Sequence, residues 1–407
     1  MRPESQRTET DGQIQKDGKI IWINVIFILG TPILAAVLAS WHIYLGKFTF
    51  AHVCGFFLTW WLTGLGITMG YHRLFSHRSY SAKPWLQAIL AFCGGGSVEN
   101  SVITWSAAHR YHHRDVDTAG DPYNAKRGFL YSHCVWLLRE GPRHNDLSNV
   151  DDLWANPILV FQHKHYIKLT VLFNIGIPVL IGLLVGDVMG MLLWSGLVRL
   201  VVVHHATFTI NSLAHIVGTQ PYSSENTARD SWLISLVSYG EGYHNYHHAF
   251  QTDYRNGPRW FNYDPGKWLV WVCERFGAAY DVRRMPDELI VRKRLDERKR
   301  LFRNRVEEVE LGLRDKLDSL DERWLHWRED LNTRFQAANE IVEREVKRLK
   351  EARRAWAAAT GHRRSELRRE FKHAKVAVKQ TVAEWEHQLE VAFDNFYTNL
   401  QQTPAAV

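Results

Sequence analysis

Ile20–His42 reads IIWINVIFILGTPILAAVLASWH, twenty-three residues without a formal charge. About 20 such residues in a helix cross the hydrocarbon core of a bilayer. A second stretch of this kind runs from Phe48 to Gly70. After a long middle segment come Tyr166–Gly186 and Val188–Ile216, parted only by a turn at Gly186-Asp187. The pattern predicts an all-α integral membrane protein with four transmembrane helices in two hairpins. Pro84–Val102 is apolar but interrupted by Gly94-Gly95-Gly96 and followed within that run by Glu99, so it is expected to lie in the interface. The loops closing the hairpins hold only Lys47, whereas the middle segment carries Arg73, Arg78, Lys83, Arg110, Arg114 and further cations. Positive residues stay on the cytoplasmic side, which puts the middle segment and both termini there.

The chain has 407 residues, 46% hydrophobic and 23% charged, with a formal charge of +7. Its mean hydropathy of −0.27 averages a very apolar first two-thirds with a charge-dense tail. Cys54, Cys93, Cys134 and Cys273 are far apart, with no Cys-x-x-Cys pair, which argues against a disulfide framework or a thiolate zinc site. Residues 1–19 form a polar arm without a signal-peptide pattern. The membrane domain covers 20–289 and a helical tail 290–407.

In that tail the charge density is high: 52 of the 120 residues from Asp281 to Leu400 are charged. Apolar residues recur from Val306 through Val309, Leu313, Leu317, Leu320, Trp324 and Trp327 to Leu349, about every 3.6 residues, as one helical stripe requires. A second stripe runs from Leu367 to Phe396, and Thr360-Gly361-His362 between them is the expected turn of an antiparallel, coiled-coil-like hairpin. Positive and negative residues alternate there, which argues against nucleic-acid binding despite a pI near 9.1. Self-association or docking of an electron donor is weighed equally with a purely structural hairpin.

The 21 histidines are clustered. His72 and His77 form H-x-x-x-x-H where the second span meets the cytoplasm. His109, His112 and His113 form H-x-x-H-H, and His244, His247 and His248 repeat it. On a helix, residues i, i+3 and i+4 share a face, so each H-x-x-H-H is expected to present three imidazoles to one point. Imidazole suits iron, zinc or copper, and no thiolate or carboxylate stands at ligand spacing within the blocks. The Glu and Glu-x-x-His pattern of soluble di-iron bundles is missing. Asn211 and His215, four residues apart near the cytoplasmic end of the fourth span, are expected to face the same centre; His204 and His205, deeper in that helix, are read as structural. Asp115, Asp117, Asp121 and Glu241 are candidates to orient the imidazoles through their remote ring nitrogens.

These motifs resemble the membrane-bound acyl-CoA Δ9 desaturases, the stearoyl-CoA desaturase group. The text GITMGYHRLFSHRSY, HRYHHRDVDTAGDPYNAKRGFLYSH, FQHKHY, NSLAHIVG and GEGYHNYHHAFQTDYRNG carries the resemblance, which extends from about Ile20 to Leu289. It implies that His72, His77, His109, His112, His113, His215, His244, His247 and His248 bind two irons, that Asn211 reaches one of them through water, and that O₂ is a co-substrate. It implies a cis double bond at Δ9 of a saturated long-chain acyl thioester of the stearoyl- or palmitoyl-CoA type. Two departures stand out. Animal members have a charged pair before the second block, associated with the CoA headgroup, where this sequence has Ala107-Ala108. Fungal members carry a cytochrome b5 domain after the core, where this chain has the charged tail, so an external donor such as cytochrome b5 or a ferredoxin is implied and a bacterial inner membrane is favoured over the endoplasmic reticulum.

An unactivated methylene offers no acidic proton and no leaving group, so its oxidation needs metal-activated oxygen, with the protein supplying position and exclusion of water. Chain position is then selected by a tunnel. Trp60, Trp61 and Gly64 are expected at its floor, where the resemblance places the chain-length determinant, and Trp105 at its bend. Arg127, Arg139 and Arg143 are candidates for an anionic headgroup or for the lipid surface. A di-iron lipid or alkane hydroxylase is the nearest alternative, and a membrane metal or haem carrier the alternative from another class.

Overall fold

The computed structural model describes residues 18–313 and 321–401; residues 1–17, most of the polar arm, lie outside them. Two compact units result, one ending at Met285 and one starting at Pro286.

Among the described residues, four helices of the first unit are long and apolar enough to span a bilayer: α1 (Trp22–Tyr44), α2 (Phe50–Ser76), and, after the middle segment, Tyr166–Val185 and Val188–His215. The outer face of α1 is open, with Ile23 and Ile26 exposed by 74% and 70%. Side chains of that kind are stable only against lipid tails. The helix starts where it does because the chain before it pairs with residues 138–140: Ile21 N–H donates to the Leu138 carbonyl, and the Asn24 amide to that of Leu137.

The helix α2 runs past the expected end at Gly70. From Gly66 its hydrogen bonding widens to i→i+5, and all residues to Ser76 are buried. Between α2 and the third span lie α3 (Pro84–Gly95) and α4 (Val102–Asp115). At twelve residues α3 is about 18 Å long, too short to cross. It packs on α2 through glycines: a Cβ on Gly66 would come 2.2 Å from the Gly94 nitrogen, and one on Gly70 2.9 Å from Leu90 Cβ. A Ser101 hydroxyl caps α4 by accepting from the Thr104 N–H. The spans Tyr166–Val185 (α5) and Val188–His215 (α6) follow, their turn made by Gly186 in the left-handed region and by Asp187, which caps α6. After α6 come the short helices α7 (Trp232–Val237) and α8 (His244–Ala249), then α9 (Pro265–Arg275). A two-residue ribbon, β1 (Ser81–Ala82) antiparallel to β2 (Ala279–Tyr280), ties the end of this unit to the segment after α2. All four cysteines are free.

The second unit comprises α10 (Asp287–Leu313), α11 (Asp321–Ala358) and α12 (Gly361–Gln401). The expected hairpin is α11 and α12, turning at Gly361 with φ +61°. A third helix joins it. Arg353 reaches Glu288 and Arg292 reaches Glu343, so α10 runs antiparallel to α11; Lys375 on Asp287 and Arg298 on Glu386 set it parallel to α12. The stripe read as one helix from Val306 to Leu349 therefore belongs to two helices of opposite direction. Its members Leu317 and Leu320 lie outside the described residues, as do the side chains of Val309, Leu313, Trp324 and Trp327. The phase of an apolar stripe survives a reversal whose length is near a multiple of 3.6, so periodicity alone did not reveal the turn. Leu295 of α10, Val342 and Leu349 of α11 and Val378 and Trp385 of α12 form the shared core.

Candidate metal centre

Nine imidazoles meet in the first unit as two clusters. His72, His77, His109, His113 and His247 form one; His112, His215, His244 and His248 form the other; within each, candidate ligand atoms lie within 4.8 Å of one another. The expectation that each H-x-x-H-H presents three rings to one point is thus corrected, because both blocks divide. Relative to residue i, position i+3 lies about 60° to one side of a helix and i+4 about 40° to the other. His109 and His113 (i, i+4) therefore join one cluster while His112 turns to the other. On α8, His244 and His248 stay together and His247 crosses. Each block lends its i+3 imidazole to its partner's pair.

The first pair depends on the widened turn. Five residues on an ordinary α-helix are about 140° apart. With i→i+5 bonding, where His77 N–H donates to the His72 carbonyl, the two rings come to 4.8 Å between centroids. The sequence gives no sign of this local winding, which is frequent at functional sites.

Hydrogen bonds fix the tautomers. His72 Nδ1 lies 2.9 Å from Glu241 Oε2 and His112 Nδ1 2.9 Å from Asp121 Oδ1. A carboxylate only accepts, so each Nδ1 carries a hydrogen, which in the neutral ring leaves Nε2 bare. His215 Nδ1 is 2.8 Å from Thr227 Oγ1, whose own hydroxyl donates to Asp117 Oδ1 at 2.7 Å, so His215 Nε2 is bare as well. These lone pairs point inward: His72 Nε2 sits 3.0 Å from His247 Nε2, His112 Nε2 3.3 Å from His248 Nε2, and His215 Nε2 3.1 Å from His244 Nε2. Converging unprotonated nitrogens need a cation between them, and the donor set fits metal. Burial and mutual repulsion hold His77, His109, His113, His247 and His248 well below their ordinary pKa, and burial pushes His244 down to about 3. That direction favours the neutral imidazole, the form metal ligation requires.

A third group, His42, His52 and Asp187, shows the contrast. Thr49 N–H donates to His52 Nδ1 and Trp194 Nε1 to His42 Nδ1, so both Nε2 atoms carry hydrogens toward Asp187, 3.1 Å and 3.8 Å away. This is a hydrogen-bonded clamp between the two hairpin loops, without inward lone pairs.

Of the four carboxylates expected to orient imidazoles, Glu241 and Asp121 do so directly and Asp117 through Thr227. Asp115 pairs instead with Arg114 at 2.6 Å and Arg143 at 3.4 Å. Burial opposes ionisation of Glu241, but His72, Arg73 and a hydrogen bond from Thr68 outweigh it and hold the carboxyl well below the usual range. Thr227, and Tyr123, whose hydroxyl is 3.2 Å from His109 Nδ1, escaped the sequence reading because neither stands at a helical spacing from a histidine.

The clusters close one end of a cavity of about 540 Å³, lined largely by apolar side chains such as Ile23, Phe27, Ile67, Trp136 and Phe208, with His72, His109, His112 and His244 at its polar end. Asn211 and Trp105 line it as well. Trp105 stacks on His109 and donates from Nε1 to Glu99, 3.2 Å away. Burial pushes the Glu99 carboxyl up to about 7. His204 lines the cavity but bonds the Ser97 carbonyl, and His205 stacks on His133, so both stay out of the clusters. Trp60, Trp61 and Gly64 do not line this cavity. They surround Tyr239, whose ring fills the space beside Gly64 and whose hydroxyl donates to the Trp60 carbonyl. Arg127 stacks on Tyr131, Arg139 takes part in the bridge to Ile20, and Arg143 is held by Asp115 and Asp146.

Four apolar spans and two buried clusters of inward-facing imidazoles beside an apolar cavity define a class: a membrane protein with histidine clusters suited to metal. The Fatty acid desaturase family model matches residues 46–284, and the chain belongs to that family. It is 42% identical to the probable acyl-CoA desaturase of Schizosaccharomyces pombe over 66% of this chain and 56% of that protein. Acyl-CoA desaturase 1 of Saccharomyces cerevisiae is also 42% identical, over 66% and 53%. Stearoyl-CoA desaturase 5 of Bos taurus is 34% identical, over 67% and 82%. The matched region thus spans about half the length of the two yeast relatives.

Proposed function

We propose that the chain is a fatty-acyl desaturase that introduces a cis double bond at Δ9 of a saturated long-chain acyl thioester, with acyl-CoA of the stearoyl or palmitoyl type as substrate, O₂ as oxidant and two electrons from a separate donor protein. The carrying observation is the position of two all-imidazole clusters at the head of an apolar cavity, in a chain of the desaturase family. Names of the relatives support the substrate class: two are acyl-CoA desaturases and one a stearoyl-CoA desaturase.

In this reading His72, His77, His109, His113 and His247 hold one iron, and His112, His215, His244 and His248 the other, with Asn211 completing the smaller set through water. Bound there, an iron pair supplies with O₂ the oxidising power to remove two hydrogens from adjacent methylenes, chemistry beyond any side-chain acid or base. The chain's own residues do the rest. Glu241, Asp121 and the Thr227–Asp117 relay hold the imidazoles in the ligating tautomer. The apolar wall binds the acyl chain and excludes water, and Trp105 presses on His109 where the chain passes the centre. Trp60, Trp61 and Gly64, closed off by Tyr239, form a floor beyond the cavity that limits chain length. Arg127 and Arg139, both exposed, meet an anionic headgroup, as does Arg143 in exchange for its present carboxylates. The middle segment with its histidine helices, a helical cap on the spans, faces the cytoplasm together with both termini. Two of the relatives compared above are yeast proteins and one is bovine, so the expectation of a bacterial inner membrane gains no support from them.

The test is expression of the protein and of a His112→Ala variant in a host lacking its own desaturase, with a compatible donor, followed by mass-spectrometric location of double bonds in total fatty acids. New Δ9 monoenes with the protein and none with the variant are expected. Hydroxylated chains instead of monoenes would sink the desaturase reading in favour of a hydroxylase.

A further inference from the structure

The second unit lies outside the matched family region, and its charges are segregated along the bundle. Residues 344–379, the end of α11 and the start of α12, carry thirteen Lys and Arg against four Glu; the rest of the unit from Pro286 carries thirteen against nineteen acidic residues. The bundle is thus a dipole, with net charge of about +9 at the end where α11 turns into α12. Nearly all these cations are exposed. Among the described residues only Arg348, Arg353 and Lys375 of the thirteen make ion pairs. An uncompensated basic surface of this size repels itself and is stable beside a polyanion.

The covalent path says which polyanion. Arg353 and Lys375 pair with Glu288 and Asp287, the first turn of α10, so the basic end is the end at which the bundle begins. That first turn starts two residues after Met285, the last residue of the membrane unit, which is itself anchored by Asp253 and Arg255. The basic end is therefore the end of the bundle that the chain joins directly to the membrane unit. Polybasic segments close to a membrane are attracted by anionic headgroups within a Debye length. We propose that the α11–α12 turn region, with Arg363, Arg364, Arg368, Arg369 and Lys372 at its centre, docks on an anionic lipid surface and so orients the second unit on the membrane.

The experiment uses the full chain in lipid nanodiscs, either zwitterionic or with about a third phosphatidylglycerol, and follows trypsin cleavage by mass spectrometry. Cleavage after Arg363, Arg364, Arg368 and Arg369 is expected to slow at least fivefold in the anionic discs at low salt, and the protection to vanish at 0.5 M salt. Arg305 and Arg334, away from the turn, report the intrinsic protease rate in each disc. A variant with Lys347, Lys350, Arg354, Lys372 and Lys379 changed to Glu, which removes the net positive charge and keeps all four cleavage sites, should lose the difference between disc types. Equal relative rates at the turn in both discs overturn the proposal and leave the basic end for an acidic protein partner. Protection that persists in high salt also overturns it, because the contact is then not electrostatic. The comparison between discs needs no variant and is independent of whether the protein desaturates.

Discussion

Thr227 carries more of the centre than its distance from any motif suggests. It accepts from His215 Nδ1 and donates to Asp117, so one hydroxyl sets the tautomer of an imidazole twelve residues away. In Thr227→Val the His215 N–H loses its acceptor, and metal affinity should fall roughly 10- to 100-fold. Because His215 belongs to the four-histidine cluster alone, metal analysis after dialysis against a weak chelator should find about one ion per chain in the variant and two in the parent. Loss of both together would show that the clusters do not load independently. Glu99 makes a different demand, on pH. Its folded pKa near 7 lies above the ordinary 4.5, so between these values the folded protein keeps a proton that the unfolded chain has released. Stability contributed here is complete below about pH 4.5 and declines as pH rises toward 7, by at most about 1.4 kcal/mol per pH unit. Thermal unfolding of Glu99→Gln should lack that slope and the variant should be the more stable one above pH 7; identical profiles would mean that Glu99 ionises normally.

At the scale of helices, the histidine site is a problem of angular placement, and sequence spacing resolves only part of it. The two H-x-x-H-H blocks, and His215 four residues from Asn211, were legible because i, i+3 and i+4 spacings mark a helix face. Their division between two clusters was not, since it depends on which side of that face another helix approaches. The pairing of His72 with His77 was hidden for a related reason: five-residue spacing becomes a shared face only through the widened turn of α2, and no residue preference announces such a turn. What permits α2 to lie so close to α3 is Gly66. A Cβ there meets the backbone of Cys93 and Gly94 at 2.7 and 2.2 Å, where no side chain can swing aside. Gly66→Ala should therefore part the two helices, at about 1–3 kcal/mol as for other overpacked interiors. A fall in melting temperature with loss of metal from the His72 cluster is the expected outcome; unchanged melting would show that α3 gives way freely.

The whole molecule divides by chemistry as well as by contacts. Every clustered histidine, each orienting carboxylate and the cavity lie before Met285, while the second unit has a core of its own built from Leu295, Val342, Leu349, Val378 and Trp385. The four spans were readable from hydropathy, because lipid imposes runs of 20 apolar residues that nothing else requires. The third helix of the tail was harder, since an apolar stripe reports a buried face and not the direction in which the chain runs along it. If the units are independent in energy, cutting the chain between them should leave the first intact. With a specific protease site inserted between Met285 and Pro286, the cleaved protein in nanodiscs should keep two metal ions per chain and an unchanged melting transition. The released second unit should melt separately, with the helical circular dichroism of a bundle. Loss of metal on cleavage, with no change in lipid, would instead make the second unit a structural support of the centre.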